Sequence, residues 1–364
     1  MPQTPKHFVR VEDEEGAAVA GTVRASLGRM RAGQPLRTGT LTLIPLLPET
    51  PEDERHTGYL PLETAVREQA LHVTEQPHET VPELQAASSA EAPVIMICGE
   101  QVVGGLQNRV LNTTILVAAH STLDVPVTCV EAGRWHGHRG GYNVAQAAMP
   151  SGAPEMADER AFATEEIAYA SLRKSHASYV ARSLSSGGGY SSDQGAVWNE
   201  VAEKLESTGS RSATHAMRAM YSSPARSSRL TEMSEALKRP EGALGFVALV
   251  GGKPAGAEIF TDPALAEAYW PKLARTYALD ALDTPSAEAT DESAESAQAE
   301  AKLLADALNA EIEVYVSPGL GADVRLHSAA ISGAGLVNDG ALVHLSLFAE
   351  EQPNSAVESG AAQG

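Results

Sequence analysis

From Leu71 to Glu131 the apolar residues alternate with polar ones or come in short β-branched runs, none long enough for a helix of ordinary length. Six strand-sized segments result: 71–75, 80–87, 94–98, 101–106, 110–118 and 125–131. Glycine, proline or polar residues separate them, the punctuation of an antiparallel meander. Gly99-Glu100-Gln101 supplies a tight turn between two of them. This block sets the class as α+β: a mainly antiparallel β-sheet meander, with helices inserted in the middle of the chain.

The flanking sequence is less regular. Residues 1–39 mix acidic, glycine-rich and arginine-rich stretches without a sustained apolar period, and read as a poorly ordered arm. An α+β domain over 40–282 starts at the strand 40–46, followed by a short helix with Pro61 in its first turn. Residues 136–158 read as loop and 159–184 as helix. SSGGGYSSD then breaks the pattern, as a linker or lid, before Ser192 or Asp193 caps a helix over 194–206. Residues 245–260 form a hairpin turned at Gly251-Gly252, and Asp262 caps a helix that Pro271 is expected to kink or interrupt. An acidic linker over 283–298 precedes a C-terminal helix and strands (299–350) that pack on the main domain, and 351–364 is a disordered tail by composition.

A net charge of −20 argues against broad nucleic-acid binding. Arginines do gather from Arg160 to Arg229, Arg173 and Arg211 among them, and read as solvated charges on helices. No apolar run approaches the roughly 18 residues of a membrane span. Val11-Glu12-Asp13-Glu14-Glu15 stands where an export signal needs its apolar segment. Two cysteines, Cys98 and Cys129, suit a reducing compartment, so the expectation is cytoplasmic. A homo-oligomer is left open.

Chemistry concentrates between Cys98 and Trp135. Charged and amide side chains interrupt apolar β runs there, a costly arrangement unless they pair with one another or with a ligand. Alternation puts Val127, Cys129 and Glu131 on one strand face, and Gln107, Arg109 and Leu111 on one face of another, with Asn108 and Asn112 opposite. Glu100, Gln107, Arg109, Glu131 and Arg134 can therefore line one site, offering donors for phosphate and acceptors for ribose hydroxyls. The plainer reading is a set of ion pairs at a sheet rim. Gly104-Gly105 lacks the third glycine and following helix of a dinucleotide fingerprint. His136 and His138 with Glu131 are a weak metal set, and neither metal nor cofactor is expected. Gln194 and Trp198 share a helix face at i, i+4.

The segments GEQVVGGLQNRVLN, VPVTCVEAGRW, QGAVW and GFVALVGGKPAGAEIF together resemble the ADP-ribosylglycohydrolase- and rhodanese-phosphatase-associated domain family. The resemblance rests most on G-E-x-x-x-G-x-x-Q-N-R (Gly99 to Arg109) and C-V-E-x-G-R-W (Cys129 to Trp135). It implies a binding or auxiliary module for ADP-ribose or another NAD-derived, nucleotide-like ligand. Glu100, Gln107, Asn108, Arg109, Glu131, Arg134, Trp135, Gln194 and Trp198 are the residues it carries over; Asn112 joins them from the strand pattern. Two further readings remain. One is a hydrolase with Glu100 and Glu131 as acid–base pair on a glycosidic or phosphoester bond. The other is a structural or protein-interaction subunit.

Overall fold

A computed structural model of the chain describes residues 9–76, 82–104, 107–134, 162–285 and 292–350. Helix α1 (Glu14–Gly28) leads into β1 (Met30–Ala32), β2 (Leu36–Thr38) and β3 (Leu41–Pro48). β4 (Leu60–Pro61) and α2 (Leu62–Arg67) precede β5 (Leu71–Glu75), β6 (Glu83–Ser88), β7 (Val94–Met96) and β8 (Glu100–Gly104). Then come β9 (Arg109–Leu111), β10 (Ile115–Val117), β11 (Thr122–Cys129) and β12 (Phe162–Ile167). The helical middle holds α3 (Ala170–Ser185), α4 (Gln194–Ser207), α5 (Ala219–Ser222) and α6 (Pro224–Ala236). β13 (Gly245–Val250), β14 (Lys253–Phe260), α7 (Pro263–Leu282) and α8 (Glu292–Leu308) follow. β15 (Glu311–Val316), β16 (Ala322–His327), β17 (Ile331–Asn338) and β18 (Ala341–Ala349) close the described chain.

The class is α+β, with mostly antiparallel sheets. A nine-stranded sheet runs β1-β3-β13-β14-β18-β17-β16-β15, with β2 added on β3. Its strands alternate between two apolar faces. Leu41, Leu43, Phe246 and Phe260 pack with α7 and its helical neighbours on one side. Ile44, Leu46, Val247 and Ile259 pack under α1 and α8 on the other. A six-stranded sheet, β12-β8-β9-β11-β6-β5, curls until β5 and β12 are again in contact. Its inner face (Val73, Leu84, Val102, Leu111, Val127) closes over the three-stranded sheet β10-β7-β4 and α2. Among the described residues no helix is long and apolar enough to cross a membrane.

Several expectations change. Residues 9–39 are not an unordered arm: Asp13 caps α1, which buries Ala20, Val23 and Leu27 at helical spacing, and β1 and β2 pair with β3. The acidic linker gives way at Glu292, where α8 begins and carries Leu303, Leu304 and Ala307 into the core. The C-terminal strands β15–β18 are four of the nine strands of the large sheet. The single strand expected over 110–118 is two strands in different sheets, because Asn112-Thr113-Thr114 breaks it with three buried polar side chains. Residues 159–184 divide into β12 and α3. SSGGGYSSD is neither lid nor free linker, since Tyr190 is buried and its hydroxyl donates to Val316 O at 2.8 Å. Pro271 lies inside an unbroken α7, whose buried face, Tyr269, Trp270 and Leu273 included, holds the helix across the missing hydrogen bond. Residues 136–158 and the tail 351–364 lie outside the described residues.

Candidate functional site

Register explains the polar density of the central strands. Val102 of β8 stands opposite Arg109 of β9, which stands opposite Cys129 of β11. Arg109 therefore points into the curled sheet. It is 1% exposed and its Nη1 lies 3.0 Å from Glu75 Oε2 on β5, while its Nε has no hydrogen-bond partner among the described residues. Burial pushes the Cys129 thiol up, with Arg109 pulling the other way. Gln107 is buried, and neither of its amide atoms has a hydrogen-bond partner among the described residues. Arg109 was expected to hold a ligand phosphate; the structure gives its charge to Glu75 and closes it from solvent.

Glu100 and Glu131 do not face each other. Extending the register puts Glu100 level with Val127, four residues short of Glu131 and two strands away. At about 3.3 Å per residue and 4.8 Å per strand, their backbones are roughly 16 Å apart. An acid–base pair on a glycosidic bond has its two carboxyls roughly 5–10 Å apart; here each carboxylate is held by its own, separate partners. Glu100 is fully buried. Its Oε2 accepts from Ile97 N (2.9 Å) and Tyr269 Oη (3.4 Å), and its Oε1 lies 3.7 Å from Lys272 Nζ without a hydrogen bond. Burial pushes its carboxyl up to about 7 against the pull of Lys272.

Glu131 is tied elsewhere. Its Oε2 accepts from Asn108 N (3.2 Å) and its Oε1 from Thr214 Oγ1 (2.6 Å). Asn108 Oδ1 in turn accepts from Gly104 N (3.3 Å). Gly133 N donates to Thr214 O and Met217 N to Val130 O, so the chain at 214–217 lies along the end of β11. Gln194, at the start of α4, fixes the same strand. Its Oε1 accepts from Cys129 N (2.9 Å) and its Nε2 donates to Cys129 O (2.7 Å), as a neighbouring peptide group would. Trp198 is partly exposed, and its buried indole N–H has no hydrogen-bond partner among the described residues. Arg134 ends a 3-10 turn (Ala132–Arg134); its side chain and Trp135 lie outside the described residues, as do His136 and His138.

Where α4 meets the segment that Glu131 holds, an open cleft of about 690 Å³ forms. Asn199, Glu203, Glu206, Ser210, Arg211 and His215 line it. Arg211 and His215 are exposed and have no side-chain partner among the described residues. None of the described candidate residues lines this cleft: Glu131 reaches its wall only through Thr214, Asn108 bonds Glu131, and Gln194 starts the helix that walls it, while Glu100, Gln107, Arg109 and Asn112 belong to the interior.

The match to known families covers residues 29–348, with the ARG and Rhodanese-Phosphatase-superfamily-associated Protein domain. The chain belongs to this family. No curated protein and no solved structure matches the chain. The two motifs through which the sequence resembles the family have structural reasons. Gly99 has φ +82°, and a Cβ there would lie 2.9 Å from Arg173 Cγ and 3.1 Å from its Nε, so the first motif opens on a residue only glycine can supply. Gly133 of the second motif lies flat on Thr214, whose Cα would be 2.9 Å from an added Cβ.

Arg173 belongs to a buried polar layer between the large sheet and the curled one. Its Nη1 donates to Glu258 Oε1 (2.5 Å) and its Nη2 to Ser346 Oγ (2.7 Å). Tyr277 Oη donates to Glu258 Oε1 (2.9 Å), and His344 Nε2 lies 3.3 Å from Glu258 Oε2. Burial raises the Glu258 carboxyl, but Arg173 and His344 outweigh it and hold it near 2. The broken strand supplies the other side. Thr114 Oγ1 meets His344 Nδ1 (3.0 Å), Thr113 bonds Asp323 and Arg325, and Asn112 Oδ1 bonds Thr128 and His176. Burial pushes His176 down to about 3, so it is neutral here. Among the sequence-stated residues only Asn112 falls in this layer as a candidate, and Arg173 was read as a solvated charge. The available signal was charge inside an apolar strand: the lone Glu258 in Pro254-Ala255-Gly256-Ala257-Glu258-Ile259, and Asp323 with Arg325 in Asp323-Val324-Arg325-Leu326.

Proposed function

We propose that the protein is a small-molecule binding module, auxiliary to enzymes of ADP-ribose chemistry, for a nucleotide-like ligand that carries phosphate. The cleft beside Glu131 carries this reading. Its volume, about 690 Å³, falls in the range of small-molecule sites. Arg211 and His215 offer cationic and hydrogen-bonding groups to phosphate, and Glu203 and Glu206 offer acceptors to ribose hydroxyls. The family's name, which ties it to ADP-ribosylglycohydrolases and rhodanese–phosphatases, supports the ligand class. The ligand is placed against α4 and the 210–215 segment instead of against Arg109.

Thermal-shift and calorimetric titrations with ADP-ribose, NAD and simple nucleotides test the reading. A ligand at 100 times its Kd stabilises the fold by about 2.7 kcal/mol, a shift of several degrees. Arg211→Glu should remove the shift and leave the unliganded melting temperature unchanged. A structural or protein-interaction subunit, the competing reading, predicts no shift with any of these compounds at millimolar concentration.

A further inference from the structure

His215 has a left-handed backbone, φ +53°, between two residues that the second family motif grips. Before it, Thr214 is held twice: its carbonyl oxygen accepts from Gly133 N (2.8 Å) and its hydroxyl donates to Glu131 (2.6 Å). After it, Ala216 bridges Glu131 and Met217 N donates to Val130 O (3.0 Å). Ala216 and Met217 are buried, whereas His215 is exposed and lines the cleft. Glu131 is only 4% exposed and does not itself line the cleft. Its acceptors are directed at Asn108 N and Thr214 Oγ1, one on the curled sheet and one on the cleft wall.

We propose that Glu131 and Gly133 are positioning residues for the cleft: they clamp the chain on both sides of His215 and so turn its imidazole toward the ligand. The inference rests on the cleft being the ligand site for its consequence, but not for its geometry. Gly133 permits the close approach, since any larger residue meets the Thr214 backbone. Glu131 supplies the hydrogen bond that a flexible loop would lack. This assigns the glutamate of C-V-E-x-G-R-W a role that neither direct ligand contact nor acid–base chemistry provides.

The test uses the full chain and two readouts. Imidazole resonances of His215, assigned by their loss in His215→Gln, report its position without any ligand; titration with ADP-ribose reports binding. Thr214→Val removes the hydroxyl that Glu131 accepts from, and Thr214→Ser restores it. The expectation is that Thr214→Val moves the His215 resonances and weakens ADP-ribose about tenfold, the worth of one hydrogen bond. Thr214→Ser should return both to wild type. Gly133→Ala should move the same resonances by a separate route. His215 signals unchanged in both Thr214→Val and Gly133→Ala would overturn the proposal. If they move but wild-type protein ignores ADP-ribose, the clamp stands and the ligand reading falls.

Discussion

Glu100 carries a cost that its partners reduce without removing. Two donors and Lys272 surround it, yet burial still wins and its carboxyl reaches about 7 instead of the ordinary 4.5. A carboxyl whose folded pKa lies above its unfolded one stabilises the fold below the unfolded value, and that contribution is lost as pH rises through the folded one. Stability should therefore fall between about pH 4.5 and 7, by up to about 3 kcal/mol from this group. Glu100→Gln should flatten that slope and leave the protein more stable than wild type at pH 8. Urea unfolding of both proteins at pH 5 and pH 8 checks it; equal slopes would show that Glu100 does not titrate there. The alternation rule put Arg109 on one face with Leu111, and Cys129 on one face with Val127, because a strand repeats every two residues whatever it packs against; that these two faces meet, Arg109 opposite Cys129, is set by the pairing of β9 with β11. The rule says nothing of what lies across a curled sheet. Glu75, the partner of Arg109, is far away in sequence order and was no candidate.

Among elements, those read correctly announced themselves locally. Asp193 and Asp262 cap α4 and α7, and Gly251-Gly252 turns β13 into β14 with both residues at positive φ. Helix α1 was missed because its apolar positions are separated by glycine and small residues, which weakens the contrast between its faces. Its stability comes from the sheet it covers, a tertiary term that local propensity does not contain. Leu27→Ala should cost about 2–4 kcal/mol by the measure of other buried leucines. Denaturant unfolding with unchanged m-value would register this; a loss under 0.5 kcal/mol, as for a surface site, would mean that α1 is not docked. Pro271 shows the same tertiary override from the other side, a local breaker absorbed by a helix buried along most of its length.

The curled sheet is joined to the large one through buried charges as well as through apolar side chains. Arg173–Glu258 and Asp323–Arg325 sit fully buried at that junction, and the Asn112-Thr113-Thr114 break reaches into it. Glu258 is held near 2, so the stability it adds is complete above about pH 4.5 and is lost only as pH falls through its folded value. Removing one partner strands the other. Glu258→Gln and Arg173→Met should each cost about 3–5 kcal/mol, with the double replacement costing clearly less than their sum. A double-mutant cycle by chemical denaturation measures that coupling, and strict additivity would argue that the pair is idle. This layer was hidden in the sequence because its members come from α3, α7, β14, β16, β18 and the Asn112-Thr113-Thr114 break, each bringing a few polar residues to a place only the finished topology defines. The family motifs, by contrast, were legible because each is a single local run.

Gln194 has a mechanical consequence. By standing in for a peptide at both the N–H and the C=O of Cys129, its amide gears α4 to β11, so the helix that walls the cleft cannot tilt without straining the curled sheet. Were a ligand to seat in the proposed cleft and press on α4, this amide would carry the push to Cys129 and so to the curled sheet.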